Sequence, residues 1–561
     1  LKDELTMEKN SHLRHPMLIL LLAYFSKFVP NELPSKTMML VRIFSQHSVI
    51  VLVISVTTLI NLIECNPTLP PTETEAPTIQ PTELPTPTLP RFEPTECRFF
   101  PNHISNVECG DLYVLENREQ NDGREIRLHV AIARSYSDGP KPDPLIFLSG
   151  GPGSFSLEWL YRNLGRYTDI LKHRDVIFFD PRGVGFSEPS LDCPEVMESF
   201  HGTLGREHSS KEWVDSIVTA NLACRKHLLE AGIDLSAYNS AEMAADVNDL
   251  RAALGYEKVN LYGVSYGSRT ALTVMRDYPV ILNSVVLDSV VPLEKDILGS
   301  DLISADQALN SVFEHCAADS ACNAAYPDLQ TAYRELIAQL DANPITIKVT
   351  HLVTNEVYDV WVDDSILGAS IHEALYNYET IVYLPKLIYD TLDGDDEEYK
   401  TLATSLEIYL FYGDYSSEGM RYSVLCSDEG TFTSLESAQK KYISTNPAIA
   451  EFINNDLEMI YRTCDVWGAK IADPIENQPV FSNIPTLVLA GEFDPITPPS
   501  FGQLVADTLE NAYYVEFPGL GHNVFADRSC ARDIVAEFLE KPDTKPDSSC
   551  VNSSRINFIL R

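Results

Sequence analysis

Five residues, Gly263-Val264-Ser265-Tyr266-Gly267, constrain this chain more than any other feature. They follow an apolar run from Val259 to Tyr262 that reads as a buried strand, and precede a helical stretch from Ser268 to Tyr278. Glycines on either side of a serine tolerate strained dihedrals and close backbone approach. A serine held at such a strand-to-helix turn is lifted clear of the fold, where its hydroxyl can meet a base. The five-letter pattern also arises by chance in glycine-containing turns, so its meaning depends on the rest of the chain.

Downstream, Pro485 to Phe493 reads as a second buried strand, ending in Asp494. A carboxylate at the carboxyl end of a strand in an open α/β sheet points into the crevice that holds ligands. A third strand, Tyr513 to Phe517, runs into Pro518-Gly519-Leu520-Gly521-His522 and puts an imidazole on a loop at the same edge. Singly, Asp494 reads as a loop cap and His522 as an exposed loop residue. In the order Ser, Asp, His they match an α/β-hydrolase triad. His522 would take the Ser265 proton and return it to the leaving group, with Asp494 holding the ring in the right tautomer.

Acyl transfer also needs donors for a developing oxyanion, usually backbone amides. Ser149-Gly150-Gly151-Pro152-Gly153, after the strand Leu145 to Leu148, can supply one amide, and Tyr266 the other. A phosphate-binding turn is the competing reading, but the Walker lysine and the Rossmann glycine spacing are both missing. In Asp180-Pro181-Arg182-Gly183-Val184-Gly185-Phe186-Ser187, after the strand from Val176, Arg182 is expected to fix neighbouring loops rather than clamp substrate.

Together these residues resemble the peptidase family of prolyl iminopeptidases and, more closely, the tripeptidyl aminopeptidase-like (TAP-like) secreted hydrolases. Ser149 to Gly153 resembles that family's His-Gly-Gly-Pro-Gly motif, with Ser149 in the histidine place. Asp180 to Ser187, the Ser265 turn and the region from Pro485 to about Phe525 resemble its other motifs. The resemblance covers roughly residues 95 to 550 and implies an α/β-hydrolase fold, a mostly parallel sheet flanked by helices, with a large, mainly helical cap. It also implies catalytic Ser265, Asp494 and His522, with Gly151 and Tyr266 as oxyanion donors. Neither metal nor organic cofactor is required. The implied activity is removal of short amino-terminal units from peptides, of prolyl or tripeptidyl type. A carboxylesterase or lipase with the same triad, and a catalytically inactive hydrolase-fold binding protein, are the alternatives. Glu373, Asp428 and Glu429 are candidates to bind a substrate ammonium group, with nothing in the sequence to separate them from ordinary surface acids.

About 190 residues separate the strand Ser284 to Val291 from the strand at Leu487, far more than a bare connection needs, which predicts an inserted cap over 296–482. Helical periodicity is expected at Ile303 to Cys316, Leu329 to Leu340, Ser365 to Tyr376, Tyr383 to Leu392 and Leu435 to Lys441. The cap would divide the hydrolase core into 95–295 and 483–550, leaving 551–561 as a tail. A formal net charge of −39 argues against nucleic acid as a partner, since lysine and arginine must displace its counterions. The acidic run Asp393 to Glu398 lacks the EF-hand spacing and reads as a solvated loop.

Residues 1–37 show no clean periodicity and are expected to be a leader or an over-extended frame, with initiation near Met38 or Met39. Residues 38–65 read as a secretory signal around the apolar run Val49 to Ile63. Cys65 follows, resembling the lipidated cysteine of a bacterial lipoprotein, although Glu64 stands where a small residue is normal. Lipid anchoring at Cys65 and free secretion are both open. The Pro/Thr-rich tract 66–94 is expected to act as a stiff spacer. Eleven cysteines less Cys65 leave an even number, as an exported chain would use in disulfides. Sequence proximity and the family resemblance suggest Cys97–Cys109, Cys193–Cys224, Cys316–Cys322, Cys426–Cys464 and Cys530–Cys550. Peptides are the expected partners, at an extracytoplasmic location.

Overall fold

The computed structural model describes residues 89–561 apart from 99–105, 121–122, 208–210, 352–353, 395–398, 412–415, 442–445 and 554. The proposed leader, signal, Cys65 and most of the spacer lie outside the described residues. The strands are β1 (Arg91–Thr95), β2 (Val107–Leu115), β3 (Glu125–Ala133), β4 (Leu145–Leu148), β5 (Val176–Phe179), β6 (Val259–Val264), β7 (Leu282–Asp288), β8 (Ile345–Thr350), β9 (Val357–Val362), β10 (Thr486–Gly491) and β11 (Ala512–Phe517). Among the described residues nine of them form one sheet, in the order β1-β2-β3-β5-β4-β6-β7-β10-β11. Pairing is antiparallel from β1 through β3 to β5 and parallel from β5 to β11. At β4 the order reverses, because β5 lies on one side of it and β6 on the other. A reversal of that kind opens a crevice beyond the carboxyl ends of the strands.

The central parallel strands are mainly apolar because both their faces are covered. In β6, Val259 and Leu261 pack with Leu272 and Met275 on one face, while Tyr262 and Val264 pack with Phe525 and Phe538 on the other. Each such side chain removed from water contributes about 1.5–3 kcal/mol. Asn260 is the polar exception, and its amide is satisfied by Asp143 in the loop before β4.

Between β7 and β10 the chain builds a mainly helical insertion around its own apolar core, which includes Leu309, Val312, Leu336, Leu367, Ile388 and Ile453. The expected helices form as Ile297–Ala318, Leu329–Ala342, Asp364–Ala374, Leu384–Asp393 and Leu435–Lys441. The long helices Tyr399–Phe411, Glu418–Asp428 and Pro447–Trp467, the short ones Ser320–Ala325 and Tyr378–Ile381, and the β8–β9 hairpin were not legible in the periodicity. All five suggested disulfides are present. Most of the acidic run beyond Asp393 lies outside the described residues.

Two boundaries need correction. The spacer assigned to 66–94 ends earlier, because Arg91 to Pro94 already belong to edge strand β1, paired with β2. There the Arg91 guanidinium binds Glu125 at 2.6 and 2.5 Å and lies over the Tyr113 ring. Pro94 is tolerated because an edge strand leaves one side of its backbone unpaired. The tail assigned to 551–561 is not loose. Ile559 donates its amide to Val382 and accepts from the Tyr326 hydroxyl, and Ile556 and Phe558 pack on the core of the insertion.

Candidate active site

Steric necessity shapes the Ser265 turn. A Cβ on Gly263 would overlap the Gly267 carbonyl, and one on Gly267 would overlap the carbonyls of Leu148 and Ser149. With both glycines in place, Ser265 takes φ 55° and ψ −128°, and the helix Tyr266–Asp277 starts directly after it. Strain of this kind persists only where the surroundings hold it. Here the Ser265 amide donates to the Asp288 carbonyl at 3.0 Å.

The glycine-rich turn after β4 lies against this elbow, close enough that a Cβ on Gly150 would stand 2.9 Å from Ser265 Cβ. Gly151 has φ 105°, which only glycine adopts freely. Ser149 closes the turn on itself, donating from Oγ to the Ser154 carbonyl at 3.2 Å. Tyr266 occupies the first position of its helix, where amides have no carbonyl partner within the helix.

Asp494 is buried in the turn after β10, its Oδ1 accepting from the amides of Ile496 (3.0 Å) and Thr497 (2.8 Å). Its Oδ2 bonds His522 Nδ1 at 2.8 Å and accepts from the Thr497 hydroxyl at 2.7 Å. That arrangement puts the imidazole proton on Nδ1 and leaves Nε2 as the basic nitrogen. Burial alone would raise Asp494 and lower His522. Their mutual attraction outweighs it, so Asp494 lies below its ordinary value and His522 above, the latter helped by Asp288 and Glu373.

Asp288 and its neighbour tie the elbow to the histidine loop. The Asp288 carboxylate accepts from the amides of Val524 (3.2 Å) and Phe525 (3.0 Å) and from the Tyr262 hydroxyl at 2.6 Å. Ser289 Oγ accepts from the Asn523 amide at 2.8 Å. Ser265 and His522 therefore hang from the same strand end, although no hydrogen bond joins Ser265 Oγ to His522 among the described residues. Such bonds are often long before substrate binds. From the insertion, the Tyr376 carbonyl accepts the His522 amide at 2.7 Å, and the Tyr376 ring packs on the imidazole at 5.0 Å. A cavity of about 410 Å³ separates helix Ile297–Ala318 from the Asp494 turn, lined by Ser304, Gln307, Ser311, Glu314 and Glu492.

Asp494 and His522 are thus bonded to each other, while Ser265 is linked to the histidine loop through Asp288 and Ser289 at the end of β7. Arg182 is accounted for structurally, with bonds of 2.7 Å to each Asp246 oxygen and further bonds to the Glu116 and Ala237 carbonyls. Asp428 and Glu429 are engaged with Ser240 and Arg269, so of the three candidate ammonium-binding acids only Glu373 remains uncommitted among the described residues. Sequence reasoning missed Asp288, Thr497 and Tyr376. Thr497, three residues after Asp494, was the one with a readable signal, an Asx-type turn.

The family described as alpha/beta hydrolase fold matches residues 143–357, and the family described as TAP-like protein matches residues 450–550. The serine protease Hip1 of Mycobacterium tuberculosis is 26% identical over 486 residues, covering 79% of this chain and 86% of that one. The chain has the α/β-hydrolase fold. This α/β hydrolase also shares 29% identity over 198 residues with the tripeptidyl aminopeptidase of Streptomyces lividans, covering 34% and 36% of the two chains. A carboxylesterase B of M. tuberculosis is 27% identical over 242 residues, covering 40% and 45%. Among solved structures, a proline iminopeptidase of Mycobacterium smegmatis aligns with TM-score 0.35 and 15% identity, over 77% of this hydrolase and 98% of that chain.

Proposed function

We propose that this chain is an exported aminopeptidase that releases short amino-terminal units through an acyl-enzyme. The observation that carries the reading is the 2.8 Å bond from Asp494 to His522 Nδ1 on a loop tethered to the end of β7, the same strand end that holds the Ser265 amide. Ser265 Oγ attacks the scissile carbonyl as His522 Nε2 takes its proton. The amides of Gly151 and Tyr266 receive the oxyanion. His522 then protonates the departing amine, and water releases the acyl group by the reverse route. The name of the Streptomyces relative supports a tripeptidyl product. Five disulfides support an oxidising, extracytoplasmic setting.

An exopeptidase needs a group that holds the substrate ammonium. Glu373, two residues before Leu375 on the stretch that grips the histidine loop, has its carboxyl pushed up to about 7 by burial, a cost that an incoming cation relieves. Asp301, on the first cap helix, has a buried Oδ1 without a hydrogen bond and a carboxyl raised by burial and by Asp456 and Asp494. Glu373→Gln is expected to raise KM for free-amine peptides about tenfold, with little effect on amino-blocked ones. Equal effects on both would remove Glu373 from this role.

Fluorophosphonate labelling, lost in Ser265→Ala, tests the nucleophile. Turnover of tripeptide amides against short-chain esters tests the class. The carboxylesterase relative keeps an esterase as the second reading, favoured if esters alone are turned over.

A further inference from the structure

The cap helix Glu418–Asp428 touches both sides of the oxyanion site. At its amino-terminal end the Ser417 amide donates to the Gly153 carbonyl at 2.9 Å, and Ser416 bridges Ser154 as a short antiparallel pair. Gly153 is held so closely that a Cβ there would lie 2.7 Å from the Ser417 carbonyl oxygen. Both bonds seize the glycine-rich turn two to three residues after Gly151. At the carboxyl-terminal end, the Asp428 carboxylate accepts from the Ser240 hydroxyl, and from its amide at 3.3 Å. The same carboxylate oxygen lies 3.4 Å from the Tyr266 hydroxyl, which is also 2.7 Å from Ser240 Oγ. Arg269, one turn along the helix that Tyr266 begins, donates to the Asp428 carbonyl at 3.2 Å and to the Glu429 carboxylate at 2.9 Å. These groups are buried, so none exchanges its partners for water at no cost.

The helix is itself anchored. Cys426 is joined to Cys464 on helix Pro447–Trp467, and Trp467 donates its indole N–H to Ser423 at 2.9 Å. We infer that this cap helix is a strut that sets the separation of the two oxyanion donors, with Asp428 and Arg269 as positioning residues acting through Tyr266. The amides of Gly151 and Tyr266 come from separate loops of the hydrolase core, and the strut spans both from outside it. Movement of the cap when substrate enters would thereby reach the atoms that receive the oxyanion. The insertion thus contributes to the chemical step.

The inference rests on Ser265 as nucleophile, and one set of measurements separates the two. Wild type, Tyr266→Phe, Asp428→Asn and the double variant are compared for kcat and KM on a tripeptide anilide, and for the rate of Ser265 labelling by a fluorophosphonate. Tyr266→Phe keeps the ring and the backbone amide, so its thermal unfolding midpoint should stay near wild type, and it carries the test if Asp428→Asn fails to fold. Each single variant is expected to lose about 10-fold to 100-fold in kcat, as small misplacements near a reacting centre do. KM should hold within about twofold, and labelling should slow in parallel. The double variant should be no worse than the poorer single one, because both remove the same contact. Wild-type kcat in folded Tyr266→Phe, a change confined to KM, or additive losses in the double variant would each overturn the strut while leaving Ser265 in place. Absence of labelling at Ser265 in the wild type would overturn both.

Discussion

His522 holds its proton more tightly than an ordinary imidazole, because Asp494, Asp288 and Glu373 together outweigh the burial that opposes the charge. Catalysis as proposed needs the neutral ring, so kcat/KM should fall as pH drops, with a midpoint above the usual 6.5. Asp288→Asn removes one of those charges and should move the acid limb to lower pH. A pH profile that stayed in place would show that Asp288 acts through its hydrogen bonds alone. The same shift favours the folded state at low pH, and this contribution disappears as pH rises through the raised value. Glu373 has the opposite chemistry with the same sign of shift. Its carboxyl is favoured protonated, so folding loses stability as pH climbs from 4.5 toward about 7. Glu373→Gln should flatten that decline in urea titrations across this window. At this scale Ser265, Asp494 and His522 were legible because each sits in a short pattern with a chemical purpose. Asp288 and Tyr376 were not. One ends a strand like many others, and the other supplies a backbone carbonyl, which no side-chain pattern reports.

Among the elements, the elbow depends on an absence of side chains. Gly267→Ala would force a methyl into the Leu148 and Ser149 carbonyls, which can yield only by separating β4 from the helix. Overpacking of this kind costs about 1–3 kcal/mol or more, and a chemical denaturation midpoint shifted by less would contradict the steric reading. A burial test is independent of the site. Leu287→Ala, in β7 under full cover, should cost about 2–5 kcal/mol. The strands of the parallel sheet were readable as continuous apolar runs, and several cap helices as apolar stripes. Helix Glu418–Asp428 escaped because it is buried almost all round, mixing Ser423, Ser427 and Asp428 with Met420, Val424 and Leu425. A helix covered on every side has no stripe to detect.

Over the whole molecule, the disulfides should differ in worth according to the loops they close. By chain entropy, removing Cys426–Cys464, which spans 38 residues, should cost about 4 kcal/mol, against about 2 kcal/mol for Cys316–Cys322, which spans 6. Calorimetry of the two paired Cys→Ala variants checks the order. The first should also lower kcat if the cap helix it anchors positions the oxyanion donors. From the chain alone came the parallel strands β4 to β7, β10 and β11, the elbow, the chain order of its partners and the presence of a large insertion, because local periodicity, turn chemistry and motif spacing are written in neighbouring residues, whereas the disulfide pairing came from sequence proximity with the family resemblance. Only the tertiary structure decided that Arg91 to Pro94 belong to the sheet, that the carboxyl-terminal segment docks on the insertion, and that Asp428 is committed to Ser240 and Tyr266 while Glu373 is left beside the histidine. Those outcomes depend on which surfaces meet, and burial and pairing between separate segments of the chain leave no mark in local sequence.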